Sequence, residues 1–265
     1  MKTRSLLFAL LLGLCLAGGM VRASHAAEVA FVRVVHASPD APAVDVWVDG
    51  SKVLTNVPYF TASDYLSLPA GEHQFVVTPT GQAADKAVIN ASATLVAGKA
   101  YTVAATGLVA NLQPTILMDN LAAPAAGKAH VRVIHASPDA PAVDIAVKDG
   151  PVLISNLAFP KDSGYLPVDA GTYNLVVLAA GTKTVALDLA GVKLDAGKIY
   201  DVFAVGELNK GTLRVEVATP APQGEVMVTG MPATGTPALP MMLALLALLA
   251  LGATGTGLML HRQAR

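Results

Sequence analysis

One fourteen-residue segment occurs twice, and this duplication limits the possible folds more than any other feature. Val32 to Asp45 reads VRVVHASPDAPAVD and Val131 to Asp144 reads VRVIHASPDAPAVD, identical at 13 of 14 positions at an offset of 99. The correspondence continues more loosely. Gly50 answers Gly150, Asn56 answers Asn156, Tyr65 answers Tyr165, and Ala70-Gly71 answers Ala170-Gly171. Gly98-Lys99 with Tyr101 answers Gly197-Lys198 with Tyr200, and Gly107 answers Gly206. A period this long means tandem domains rather than a solenoid. The copies are expected over 28–120 and 129–219, joined by a linker over 121–128. About 90 residues per copy suits one small core.

Within each copy the pattern is β. Short runs rich in Val, Ile, Thr, Tyr and Phe alternate with Gly, Pro, Asn and Asp breaks. In copy one, strands are expected near 30–36, 43–48, 51–56, 64–68, 73–79, 87–95, 100–106 and 113–119. Val44, Val46 and Val48 alternate with Asp45, Trp47 and Asp49, as on a strand with one buried face. Pro69-Ala70-Gly71-Glu72 reads as a hairpin turn. Between the two chain ends no segment of 12 residues carries a convincing 3.6-residue period. The expected fold is all-β: two tandem β-sandwich domains, immunoglobulin-like or transthyretin-like, between which periodicity does not choose. The sheets must hold by packing alone, because the only cysteine is Cys15, near the amino terminus.

The duplicated motif supplies the candidate site residues: His36, Ser38, Asp40 and Asp45 in copy one, and His135, Ser137, Asp139 and Asp144 in copy two. Ser38-Pro39-Asp40-Ala41-Pro42 is a turn, since proline fixes φ and Ser and Asp side chains bond nearby backbone N–H groups. Two readings follow. Either His36 and Asp45 bracket the turn, bonding each other or the backbone, or His36, Asp40 and Asp45 converge on a divalent cation or polar ligand such as a glycan. Calcium wants six to eight oxygen ligands and zinc more nitrogen or sulfur, so no metal is assigned. His36, Ser38 and Asp40 are also triad residue types, but they crowd into five positions and no Gly-x-Ser-x-Gly elbow is present. There is no P-loop, HExxH or dinucleotide fingerprint. The expectation is a non-enzymatic protein without a cofactor. Trp47 points away from the face that Val46 and Val48 bury; packing under a loop or the second domain and contact with a ligand both remain open. Copy two has Ala146 there.

The HASPDAPAVD segment, with the Pro-Ala-Gly at 69–71 (Asp-Ala-Gly at 169–171) and the later Gly-Lys-x-Tyr, resembles DUF4397, a bacterial family of extracellular domains with no assigned function. The resemblance runs through both copies. It implies an exported β-sandwich and supplies no catalytic residues.

The two ends read as addresses. Lys2 and Arg4, the apolar run Leu6 to Leu16 and the small residues around Ala26 form a secretory signal over 1–27. Leu14 stands where a lipoprotein signal would need a small residue. At the other end a Pro/Gly-rich stalk over 220–237 precedes 238–260, which carries no formal charge. A helix of that length covers about 34 Å, enough to cross a bilayer. The basic tail over 261–265 then lies inside and the duplicated body outside. Met231-Pro232-Ala233-Thr234-Gly235, followed by the apolar span and basic tail, resembles the LPxTG sorting signal, with Met231 in place of leucine. That resemblance implies a sortase that cuts between the Thr and the Gly and joins the chain to the cell wall. An uncleaved single-span protein is the competing reading. Between Glu28 and Gly230 stand 19 acidic against 13 basic residues, a balance of −6. Such a body lacks the cations that replace phosphate counterions, which argues against nucleic acid. The partners expected are the membrane, a sortase and cell wall, and a surface protein or glycan. The function expected is adhesion, envelope structure or ligand capture. A receptor module binding a cation or glycan through the motif loop is the alternative, and a secreted hydrolase stands behind both.

Overall fold

The structure is a computed structural model that describes residues 28–222. The signal over 1–27, the motif from Met231 to Gly235, the span over 238–260 and the tail over 261–265 lie outside the described residues, as does most of the stalk. Among the described residues no helix is long and apolar enough to cross a membrane.

The described chain is all-β, with sixteen strands in four four-stranded sheets that form two sandwiches. The first contains β1 (Val29–His36), β2 (Val44–Val48), β3 (Ser51–Val57), β4 (Leu66–Pro69), β5 (Gly71–Pro79), β6 (Ile89–Leu95), β7 (Ala100–Thr106) and β8 (Gln113–Asp119). The second repeats the series as β9 (Lys128–His135), β10 (Val143–Val147), β11 (Val152–Leu157), β12 (Leu166–Asp169), β13 (Gly171–Ala179), β14 (Val185–Leu194), β15 (Ile199–Val205) and β16 (Arg214–Ala218). All eight runs expected in copy one are strands, with ends within two residues of expectation. Among the described residues both partners of every strand pairing lie within Val29–Ala218.

Strand order separates the two architectures that periodicity left open. The sheets run β4-β1-β7-β8 and β3-β2-β5-β6, and the second sandwich repeats this as β12-β9-β15-β16 and β11-β10-β13-β14. An immunoglobulin sandwich keeps its first two strands in one sheet. Here β1 and β2 lie in different sheets, and β1 runs parallel to β7 as β9 does to β15. The transthyretin-like alternative is the one that fits. The expected hairpin at Pro69 to Glu72 is not one. β4 pairs with β1, and β5 pairs with β2 and β6, so the chain crosses from one sheet to the other at Ala70. Local turn chemistry is the same for both outcomes, and only strand partners distinguish them.

Inward side chains from the two sheets pack face to face. Ala30, Val32, Leu68, Phe75, Leu95, Tyr101 and Val103 make one core cluster of the first sandwich and Val44, Val57 and Val77 another, to which Val143, Ile145, Leu157 and Val177 correspond in the second. One sheet of each sandwich is buried on its other face too. All seven residues of β7 are buried, and Arg33 on β1 is only 2% exposed. A strand buried on both faces needs a second layer over its sheet. That layer is the other copy. Val35, Ala37, Ala104 and Leu117 of the first sandwich form one cluster with Ile134, Ala136, Phe203 and Val205 of the second. Phe60 meets Phe203 edge to face with ring centroids 5.4 Å apart.

Four charges lie inside this contact. Arg33 bonds Asp201 of the other sandwich and donates from Nε to Thr102 Oγ1 at 2.8 Å. Arg132 donates to Asp119 of the other sandwich at 2.6 Å and to its own Asp201 at 2.8 and 2.9 Å. Tyr65 donates its hydroxyl to Asp119 at 2.7 Å, and Thr102 donates to the same carboxylate. The guanidiniums lie near the rings of Tyr65 and Tyr165, at 5.4 and 4.5 Å from the centroids. Burial opposes the charge on each arginine, but the facing carboxylates and tyrosines more than offset it, so both are held charged. Two positive and two negative side chains, each at most 3% exposed, balance one another.

Removing one member leaves an uncompensated buried charge, a loss of about 3–5 kcal/mol. Arg132→Ala is therefore expected to lower the stability of residues 28–222 by about that amount in urea unfolding. Trp47 is the only tryptophan and reports on the first sandwich alone. In the parent protein its fluorescence and the far-ultraviolet circular dichroism should unfold together. In Arg132→Ala they should separate. Coincident transitions in the variant would mean that the network does not couple the two sandwiches.

Candidate functional site

The duplicated motif begins at the end of β1 and crosses between the sheets into β2. Its prolines have no N–H, so they keep the crossing out of both ladders. The side chains that sequence singles out are all close together along the chain, yet each turns to a different part of the backbone. His36 is buried and donates from Nε2 to the Pro42 carbonyl at 2.9 Å. A carbonyl only accepts, so this nitrogen carries the proton. His135 does the same to Pro141 at 3.0 Å. Each imidazole thereby closes its own loop. Burial pushes both histidines below the ordinary imidazole value, and the bond to the proline carbonyl offsets only part of that.

Asp45, on β2, is fully buried and holds two other chain segments. Its Oδ1 accepts from the Asn56 N–H at 2.9 Å, and its Oδ2 from the Gly81 N–H at 3.1 Å and from Lys52 Nζ at 2.6 Å. Asp144 repeats the backbone contacts with Asn156 at 2.7 Å and Gly181 at 2.9 Å. Both asparagines have left-handed backbone, φ 54° and 53°, where β3 and β11 slip register against β2 and β10. The carboxylate stabilises that irregularity by taking up the N–H it frees. The Lys52 ammonium, followed by the Asn56 N–H, holds the Asp45 carboxyl down to about 2.

Asp40 and Asp139 reach a third loop. Asp40 accepts from the Val109 N–H at 2.9 Å, and Asp139 from Leu208 and Asn209 at 2.7 and 2.9 Å. The loops they hold begin at Gly107 and Gly206, whose φ values are 93° and 89°. A Cβ on Gly107 would lie 2.5 Å from the Asn111 carbonyl oxygen, so both φ and space require glycine. Ser38 and Ser137 are buried, and Ser137 donates to the Gly206 carbonyl at 2.8 Å. The motif is thus a knot that ties three loops at one end of each sandwich. His36 and Asp45 bond the backbone and not each other. Among the described residues no group of three or more His, Cys, Asp or Glu side chains is placed to hold a metal ion.

Trp47 lies on the outer face of β2, half-buried, with the Lys52 ammonium 4.7 Å from its ring centroid and its indole N–H 3.3 Å from Thr78 Oγ1. It is neither in the core nor between the sandwiches. In the second copy Ala146 occupies this place, and an open groove of about 900 Å³ appears. Its floor includes Ala146, Val176 and Leu178. Lys148, paired with Asp188 at 2.5 Å, and Lys183 stand at its sides, with Val152 and Val185 about half exposed. The Trp47/Ala146 difference is visible in the sequence, and the structure places the groove beside it. Sequence reading missed Arg33, Arg132, Asp119 and Asp201. The available signal was a charge in the middle of an apolar strand, repeated at Arg33 and Arg132.

A family model described as a domain of unknown function (DUF4397) matches residues 30–146 and again 131–239. Among curated proteins nothing matches the chain. Among solved structures, the Bacillus anthracis TIE protein is 11% identical, with 68% of this chain and 34% of that one covered and a TM-score of 0.23. The chain therefore spans about a third of that protein. Family 41 carbohydrate-binding modules from streptococcal virulence factors, described as recognising alpha-glucan, are 13% identical over 74% of this chain and 99% of that one, with a TM-score of 0.21. A protein described as a candidate cell adhesion protein from Parabacteroides distasonis is 10% identical over 73% and 98%, with a TM-score of 0.20. Likenesses at these TM-scores carry no argument about function.

The hydrogen-bonded motif sets a pH dependence. Asp45 is depressed in the fold, so its stabilisation is present above its unfolded value of about 3.9 and is lost as pH falls toward about 2. Asp45→Asn should cost about 1.5–3 kcal/mol at pH 7 and flatten the acid limb of a stability profile. The histidines are depressed as well, so the fold favours them neutral and loses stability as pH falls below about 6.5. His36→Gln with His135→Gln should flatten the profile in that window. An unchanged slope below pH 6.5 would remove the histidines from the loop-closing role.

Proposed function

The chain belongs to the DUF4397 family and carries its domain twice, and from that premise we propose an exported, surface-anchored protein without catalytic activity, whose joined sandwiches serve adhesion or ligand capture. The observation that carries this reading is the use of the motif's polar groups. The imidazole Nε2–H groups and the Asp carboxylates of the HASPDAPAVD loops are bonded to backbone groups of the fold. Side chains so engaged are suited to shaping a body rather than to exchanging protons with a substrate or entering a cation shell. Recognition then falls to the surface, and the groove beside Ala146 offers one. An apolar floor between charged sides suits a partner protein or glycan of the envelope. The signal over 1–27 and the ordered series of stalk, MPATG motif, apolar span and basic tail support export and anchorage, with sortase transfer to the wall as the next step.

Protease added to whole cells is expected to digest the sandwiches while a cytosolic marker survives. Protection of the sandwiches in intact cells would overturn export. Mass spectrometry then distinguishes the anchors: a chain ending at Thr234 with its carbonyl amide-linked to a cell-wall fragment marks sortase transfer, and an intact tail with Arg262 marks an uncleaved span. For the groove, labelled residues 28–222 should bind isolated envelopes, and Ala146→Trp, copying the first sandwich, should weaken that binding by about tenfold or more. Trp47→Ala should leave it unchanged. Equal binding by Ala146→Trp would place recognition elsewhere.

A further inference from the structure

A second cavity lies inside the second sandwich rather than on it, distinct from the outer groove. Fourteen side chains from both sheets line about 140 Å³, and all are Val, Leu, Ile or Ala. The first sandwich provides an internal comparison: a cavity among Val34, Val46, Phe75 and Val103 in its interior holds about 10 Å³. Two differences account for the contrast. Phe75, opposite Val48 across the ladder, is replaced by Leu175, opposite Val147. The β5–β6 pairing runs from Gly71 to Val77 without a break, whereas β13–β14 shifts register between Tyr173 and Leu175 and again between Val177 and Leu178. A strand that bulges twice bends away from its partner sheet. Phe75 is 2% exposed, while Leu175, Leu189 and Val202 are half-buried; Val217, like its counterpart Ile116, is exposed at the edge.

We propose that this cavity binds a small uncharged hydrocarbon group, entering at the edge between β14 and β16. With an all-aliphatic lining the cavity offers water no side-chain partner, so it stays dry. A cavity of about 150 Å³ with a similar lining accepts benzene or xenon, which sets the size of the ligand. The half-exposed side chains gain burial when it enters. Ions and sugars find no side-chain partner there. Two sources share the chemistry: a free hydrocarbon, and the chain end of an amphiphile whose polar head remains in water beside Val217.

Methyl-resolved NMR of residues 28–222 tests this, with benzene for the free hydrocarbon and octanoate for the amphiphile. Benzene is expected to shift the Leu175, Leu189 and Val215 methyls saturably and to leave Val46 and Val103 of the first sandwich unmoved. Octanoate competing for the same methyls adds the chain end of an amphiphile, and octanoate without effect restricts the site to free hydrocarbons. Leu175→Phe, which restores the residue of the first copy, should weaken benzene binding by about tenfold or more. Should that variant fail to fold, Val133→Leu fills part of the same space and should weaken binding in the same direction. Absence of saturable shifts, equal shifts in both sandwiches, or unaltered binding in a folded filled variant would overturn the proposal.

Discussion

Each buried arginine sits between an acid of its own sandwich and an acid of the other, and the rest of the architecture follows from that placement. A guanidinium taken out of water is tolerable only when carboxylates and hydrogen-bond acceptors replace the lost hydration. Arg33 finds Asp201, and Arg132 finds Asp119, only when the sheets β4-β1-β7-β8 and β12-β9-β15-β16 face each other. The surrounding apolar contacts, Phe60 on Phe203 and Val35 beside Ile134, exclude water from the charges. The tandem copies are therefore one body rather than two beads on the 121–128 linker. The acids come from unlike positions: Asp201 from the strand equivalent to the one that carries Thr102, and Asp119 from the last strand of its own sandwich. The two copies complement each other rather than repeat each other.

The HASPDAPAVD motif serves the same end. Its histidine closes the crossing loop, its first aspartate holds the loop after β7 or β15, and its last anchors an irregular β3 or β11. Ala37 and Ala136, the residues after the two histidines, are wholly buried between the sandwiches. One short segment thus sets the end of each sandwich and part of the contact between them. A motif this demanding leaves little freedom for ligand chemistry, and the variation between copies lies elsewhere. Trp47 against Ala146 changes the outer face, and Phe75 against Leu175 changes the interior. In both pairs the second copy carries the smaller side chain and the larger space.

The strands themselves were legible because alternation of apolar and polar residues is a local property with a period of two. Val44, Val46 and Val48 point inward whatever lies opposite. The duplication was equally plain, and with it the pair of similar sandwiches. The turn character of Ser38 to Pro42 followed from proline and Asx chemistry alone. Expectation failed at Pro69 to Glu72, where a hairpin and a sheet-to-sheet crossing use the same residues. It was silent at Arg33 and Asp201, since a charge on the outer face of a strand reads as solvated until a second layer covers it.

The amino-acid sequence by itself therefore determined the all-β class, the twofold repeat, the strand positions and the loop chemistry of the motif, because these rest on neighbours along the chain. Tertiary structure alone decided which strands pair, that the two copies join through buried charges, that the motif's side chains go to backbone, and which copy keeps a cavity. Those outcomes rest on partners from six residues away, as for His36 and Pro42, to the 168 residues between Arg33 and Asp201, or on the fit between whole sheets. No local pattern records that choice of partner.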